Sequence, residues 1–165
     1  LALAPNYAEA WAALGKIWTA ESNQDKAREA YEKALAANPA CFIAVVRLAQ
    51  MDLAKGRDEE VLQITHRAME FEPVNPWVYF YSAVADVHLR RREEGEKTLR
   101  QAIAADMAHE IPPAEHLLGT LLDKKGDTQG AIEHLKKYLE LAPHAGDAGQ
   151  VQTRIDVLEQ SLKIK

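Results

Sequence analysis

Six histidines, one cysteine and a spaced pair of aspartates are the residues with which this chain could do chemistry. His109 and His116 stand seven apart, around Glu110, Pro112, Pro113 and Glu115. A zinc-hydrolase helix carries histidines at i and i+4 on an unbroken turn, with a glutamate beside the first. Here the interval differs and two prolines interrupt the turn, so no metal site follows. Cys41 has no histidine or second cysteine at ligand spacing, and reads as a small core or loop residue. A single cysteine forms no internal disulfide and leaves the redox compartment open. The sequence contains no glycine-rich phosphate loop, no G-x-S-x-G and no H-E-x-x-H. It therefore offers no catalytic residue, no metal ligand and no cofactor site.

Asp52 and Asp86 lie 34 residues apart, in equivalent local contexts. They could form a paired acidic site for a cation or a basic group. The structural alternative is that each bonds to a neighbouring Arg, Lys, His or helix terminus, because a bare buried carboxylate is prohibitive. The structural alternative is preferred, since ion pairs commonly perturb carboxylates without any function.

The interval of 34 runs through nearly the entire chain, with two extra residues before the fourth copy. Pro5, Pro39 and Pro73 keep it; Met107 takes the next place, and Pro143 follows 36 later. Gly15, Ala49, Ala83 and Gly119 follow the same beat, as do Ala34, Ala68, Ala102 and Tyr138. So do Leu35, Met69, Ile103 and Leu139. Residues 8–41 show the unit most fully. Trp11, Leu14, Gly15 and Trp18 recur at helical spacing, and Ala27, Tyr31, Ala34 and Leu35 do so after the polar break Ser22-Asn23-Gln24. Two amphipathic helices joined by so short a break fold as an antiparallel pair. Such a pair cannot bury both apolar stripes alone, so copies must stack.

The pattern W-x2-L-G-x2-W, then Ala27, Tyr31, Ala34 and Pro39, resembles the tetratricopeptide repeat (TPR) family. The first copy matches all eight signature places when Trp18 and Tyr31 stand for the usual aromatics, and the later copies match more loosely. The resemblance implies an all-α fold, a right-handed superhelical solenoid of antiparallel helix pairs. It divides the chain into the tail of a preceding repeat (1–5), a first repeat (6–41), a second (42–75) and a third with a two-residue insertion (76–111). A fourth repeat (112–145) and a C-terminal capping helix (146–165) complete it. On this reading the sequence begins inside a longer array.

Local signals set the expected elements. The first helix should run from about Tyr7 to Ala20, with Asn6 as N-cap and Glu9 as its capping-box partner. The second should span about Asp25 to Ala37 and stop at Asn38-Pro39, since a residue before proline avoids the helical region. In the second copy a helix near Phe42 to Ala54 precedes the turn Lys55-Gly56-Arg57, with Asp58 capping the next. Asn75 should cap a helix opened by Pro76. The turn Arg90-Arg91-Arg92 lacks glycine, which leaves open a longer helix or a tighter turn. Extra residues fall within Ala108-His109-Glu110-Ile111. The fourth copy opens at Pro112-Pro113 and turns at Lys125-Gly126-Asp127. Val151, Ile155, Leu158 and Leu162 should form the apolar stripe of a last helix whose polar outer face ends the array.

The resemblance also implies a concave groove lined by the first helix of each repeat. In the third copy the groove places are Trp77, Phe80, Tyr81, Val84 and His88, within about 100° of arc. Tyr79, Ser82, Ala83 and Asp86, on the other face, should pack. The second copy adds Ile43, Val46, Arg47 and Gln50, the fourth His116 and Leu117 with Thr120. The first contributes Glu9, Ala12, Ala13 and Lys16. Trp77, Phe80 and Tyr81 either fill space between repeats or floor a site for a partner's extended segment or helix; each large side chain so buried contributes ~1.5–3 kcal/mol before ordering costs.

Composition narrows the partner. The chain carries 25 acidic and 20 basic residues, for a net charge of -5, and lacks the basic stripe of a nucleic-acid surface. Hydrophobic residues make up 47%, ample for a core, but no apolar run approaches a membrane span, so no membrane insertion is expected. Some TPR domains hold the acidic tail of a chaperone with Lys, Asn and Arg; of the matching places here, Ala12, Lys16, Arg47, Trp77 and Tyr81, only Lys16 fits. The expected partner is another protein or peptide compatible with apolar and aromatic contacts rather than a chaperone tail. The expected role is a protein–protein interaction scaffold. A spacer or assembly region of a larger enzyme or envelope-assembly protein is the alternative. Self-association through the N-terminal end is a further expectation.

Overall fold

The computed structural model describes residues 7–71 and 75–163, which form helices throughout. In order they are α1 (Ala8–Ala20), α2 (Gln24–Ala37), α3 (Phe42–Leu53), α4 (Asp58–Met69), α5 (Pro76–His88), α6 (Arg92–Ala105), α7 (Pro112–Lys125), α8 (Thr128–Leu141) and α9 (Ala148–Lys163). Each odd helix up to α7 packs on the even helix after it, and each pair on the next. This is the all-α stack of helix pairs that the 34-residue beat implies. Asn6, Pro5, Pro73 and the segment 1–5 lie outside the described residues.

One turn geometry is used four times. Ser22, Gly56, Arg90 and Gly126 have φ of 59°, 68°, 63° and 88°, in the left-handed region. The residue after each sends its backbone N–H to the carbonyl five positions back: Asn23 to Trp18 at 2.8 Å, Arg57 to Asp52 at 2.9 Å, Arg91 to Asp86 at 2.8 Å and Asp127 to Leu122 at 3.0 Å. A left-handed residue closing a helix in this way satisfies carbonyls that the helix end leaves free. The triple-arginine turn is therefore neither longer nor tighter than the others. Arg90 adopts the conformation in which glycine stands at positions 56 and 126.

This shared turn corrects one cap. Asp58 is the first helical residue of α4, and Arg57 holds the cap position without a side-chain bond to the helix. The register follows the left-handed residue rather than the best capping side chain. Where the same place holds Asn23 or Asp127, the side chain accepts from Lys26 N–H at 3.2 Å or Gly130 N–H at 3.0 Å. Asn75 caps α5 as expected, accepting from Trp77 N–H at 3.0 Å ahead of Pro76.

Pair packing explains the small residues. A Cβ on Gly15 would lie 2.5 Å from the Tyr31 ring, and one on Gly119 would lie 2.8 Å from Leu135. Tyr31 is fully buried, and its hydroxyl meets Thr19 Oγ1 at 3.2 Å, so the ring has nowhere to retreat. Where α1 meets α2, Lys33 and Lys26 of α2 lie over the rings of Trp11 and Trp18 of α1, 4.7 and 4.4 Å from their centroids.

Between α6 and α7 the loop is tied by Asp106. Its carboxylate accepts from Glu110 N–H and Ile111 N–H, both at 2.9 Å, while His109 turns left-handed and Ile111 is buried. The first helices α1, α3 and α5 touch in succession, but no comparable contact joins α5 to α7 among the described residues. The inserted loop thus interrupts the row of first helices. At the C-terminal end, Val151, Ile155 and Leu158 of α9 are buried, whereas Leu162 is 39% exposed and falls outside the expected stripe. Arg154 grips the Asp123 carboxylate through two bonds, at 2.6 and 2.7 Å.

The two periodic aspartates have separate partners. Asp52, buried, accepts from Arg28 of α2 and from Arg57 of the following turn. Asp86, also buried, has Arg91 in the equivalent place but only at 3.9 Å. Burial holds the Asp86 carboxyl above its ordinary value of 3.8, against the opposing pull of His66 and Arg91.

Two stability measurements follow. Arg90→Gly should raise the free energy of unfolding by about 0.5–1 kcal/mol, because a left-handed side chain costs ~1–2 kcal/mol and glycine's unfolded-state entropy offsets part. An unchanged or lower denaturant midpoint would contradict this. For Asp86, the native state binds the carboxyl proton more tightly than the unfolded chain does. Its ionised form therefore subtracts stability above the raised value, and that loss vanishes as pH falls below the ordinary range. Asp86→Asn should stabilise at pH 7, with a gain that shrinks in melts at acid pH; a gain that grows there would refute the assignment.

Candidate functional site

An open cleft of about 310 Å³ lies across α1, α3 and α5, lined by Lys16, Phe42, Ile43, Val46, Arg47, Gln50, Trp77 and Tyr81. Three helices supply it because their first-helix faces run side by side before the Asp106 loop. Along α3, Ile43, Val46, Arg47 and Gln50 recur at steps of three and four, which places them on one face. Ala44, Val45 and Leu48 on the other side are buried. Phe42, at the first position of α3, is 48% exposed at the rim.

The aromatic wall comes from α5. The Asn75 cap and Pro76 fix the start of this helix, and so the position of Trp77 one residue on. Trp77 stacks on Tyr81, with centroids 5.8 Å apart and an interplanar angle of 25°. Phe80 meets both rings edge-on, at 5.6 Å from Trp77 and 5.3 Å from Tyr81. The three rings do not share one fate. Phe80 is buried in the main core and fills space between repeats, whereas Trp77 is half-buried and faces the cleft. Tyr81 is buried over most of its surface and presents its remainder to the cleft.

A polar relay runs along the cleft wall. Arg47 Nη1 donates to Gln50 Oε1 at 3.0 Å, and Gln50 Nε2 donates to Tyr81 Oη at 2.6 Å. Gln50 thus orients the guanidinium of Arg47 and takes up the Tyr81 hydroxyl oxygen. Among the described residues, no carboxylate lines the cleft.

The other groove positions lie apart from it. Val84 is half-buried against the core, and Leu117 likewise packs on it. His88 is exposed on the far end of α5, where its Nδ1 lies 2.7 Å from Asp58 of α4. His116 stacks on Tyr138 at 4.7 Å, with Nδ1 3.4 Å from Asp147. The Tyr138 hydroxyl donates to Asp147 at 2.5 Å, and this bond pushes its pKa up to about 12. His116 therefore helps seat the last helix rather than extending the cleft. Ser82, Ala83 and Asp86 are buried, in keeping with a packing face.

Phe42 is absent from the groove positions that the sequence indicates, because the family's groove numbering starts one residue later. Its exposure at a helix start carries no periodic signal. Lys16 holds a groove position in the sequence, where nothing but its charge marks it. Cys41 is buried, and burial raises its thiol pKa, the reverse of what a reactive thiolate needs. Among the described residues, no group of three or more His, Cys, Asp or Glu could hold a metal ion, and no helix is long and apolar enough to cross a membrane.

Comparison with known proteins agrees with this architecture. Residues 3–110 match the family described as the PRP39 N-terminal HAT repeat, and residues 116–144 match the tetratricopeptide repeat. Anaphase-promoting complex subunit 7 of Dictyostelium discoideum is 22% identical over 120 residues, which are 72% of this chain and 20% of that protein. The chain thus spans about a fifth of the length of this curated relative. Among solved structures, Pseudomonas aeruginosa PilF superposes with a TM-score of 0.81 at 17% identity, over 96% of this chain and 72% of that one. YrrB, described as a TPR protein with an unusual peptide-binding site, gives a TM-score of 0.71 at 15% identity, over 94% and 79% of the two chains. At such identities the structures establish the fold alone. On the match that spans most of its length, the chain belongs to the TPR/HAT repeat family, whose fold serves generally in protein–protein interaction.

Proposed function

We propose that this chain is a non-catalytic assembly region, a segment that holds other protein parts in place within a larger protein or complex. The observation that carries the reading is how the polar groups of the described residues are used. Three of the four buried carboxylates among them are engaged in structure, Asp52 with arginines, Asp106 with loop amides and Glu115 with His134 at 2.6 Å, while Asp86 has Arg91 only at 3.9 Å. The chain's ordered chemistry goes into stacking helices, and what remains is shaped surface. Similarity to a short stretch of a much longer subunit of a multiprotein complex supports the same reading.

A second reading is favoured by the cleft itself. A half-buried tryptophan and an exposed phenylalanine on the inner side of the stack are suited to receive a peptide-like segment of a partner protein. On this reading Ile43, Val46, Arg47, Gln50, Trp77 and Tyr81 make the contacts, and Phe80 and Val84 support them from behind. His88, His116 and Leu117 contribute at most to a longer segment running beyond the cleft.

Site-specific photocrosslinking in the cells that make the protein tests both. A benzoylphenylalanine at position 42 should give a discrete protein adduct, and one at the exposed Glu93 of α6 should not. Adducts from position 93 alone would leave the assembly reading standing and overturn the cleft. No adduct from either would contradict the assembly reading as well.

A further inference from the structure

The cleft has a charge opposite to that of the chain around it. Acidic residues outnumber basic ones by 25 to 20 along the sequence, yet the lining holds two cations and no carboxylate. Both Lys16 and Arg47 are exposed, and neither takes part in an ion pair among the described residues. Arg28, Arg57, Arg100 and Arg154 each meet a carboxylate, whereas Arg67, Arg90 and Arg92, like Lys16 and Arg47, take part in no ion pair among the described residues. What sets Lys16 and Arg47 apart is that they share one cleft whose lining holds no acid. Arg47 gives one donor to Gln50 and keeps the rest of its fork for something else.

We propose that the cleft takes an extended segment of a partner protein carrying a single carboxylate one or two residues from a large apolar or aromatic side chain. This rests on the cleft reading given above and specifies its occupant. The carboxylate sits between Lys16 and Arg47, where guanidinium and ammonium donors reach it from two helices. The apolar neighbour lies against Trp77, with Phe42 closing the other side. Tandem carboxylates are disfavoured, because α5 offers rings where a second pair of cations would be needed. A volume of about 310 Å³ is at the lower end for ligand pockets, which suits one anchor side chain rather than the face of a docked helix.

Selection from a random peptide display library on the intact chain tests this whatever the partner is. The recovered sequences should share one Asp or Glu within two positions of Trp, Phe, Leu or Ile. Binding of such a peptide should fall ~10-fold in Arg47→Glu and in Lys16→Glu, both surface changes that circular dichroism can verify as folded. A fresh selection on Arg47→Glu should exchange the acid for Lys or Arg. Peptides that need Trp77 but carry no acid, or that ignore both charge reversals, would overturn the acidic occupant and leave the cleft reading intact. Peptides indifferent to Trp77→Ala, Arg47→Glu and Lys16→Glu alike would overturn both.

Discussion

The structure depends on how closely two helices of one pair can approach. At Gly15 the absence of a side chain lets the Tyr31 ring lie where a Cβ would stand 2.5 Å away, and Gly119 does the same for Leu135. Close approach sets the tilt of each pair and brings the next pair within reach. The apolar stripe that a lone pair would leave wet is then covered by its neighbour. Each approach needs a connection that reverses the chain within a few residues. Left-handed residues at Ser22, Gly56, Arg90 and Gly126 supply it at the same point in each unit. Sterics between helices and backbone geometry in the turns thus impose one constraint from two directions.

The cleft is a consequence of that regularity and of the place where it stops. While the units repeat without insertion, α1, α3 and α5 lie in a row and present Lys16, the Ile43–Gln50 face and Trp77 to a shared hollow. The Asp106 loop then adds residues, ties them with two backbone N–H bonds, and breaks the row before α7. Downstream, the same nominal groove places serve the end of the array. His116 stacks on Tyr138 and approaches Asp147, so it helps hold α9 in position. A single local insertion therefore separates the open cleft of α1, α3 and α5 from the surface that seats the last helix.

Much of the fold is legible because period, small residues and turn chemistry all point the same way. The interval of 34, the Gly15/Ala49/Ala83 column and the Asn75-Pro76 start each encode a physical requirement that survives into the structure. Other features are hidden for physical reasons. Asp58 looks like a cap and is not one, because side-chain preference at a helix start yields to the left-handed residue that fixes the register. The turn at Arg90 is unreadable, since arginine carries no sign of the φ that its neighbours impose. Division of the Trp77, Phe80 and Tyr81 cluster into one cleft-facing ring and one core ring depends on tilt between helices, which periodicity does not contain. Nothing in the residue order hints that the Gln50 amide joins Arg47 to Tyr81, because that bond spans two repeats.

The most direct test of the account is the accessibility of Trp77. In the purified chain, the acrylamide-quenchable fluorescence lost on Trp77→Phe should report an open ring, distinct from Trp11 and Trp18 under their lysines. That share should become shielded when a cleft-binding peptide is added. A Trp77 contribution that resists acrylamide in the free chain would mean the ring is closed off between helices, and would contradict the proposal that the cleft binds a partner.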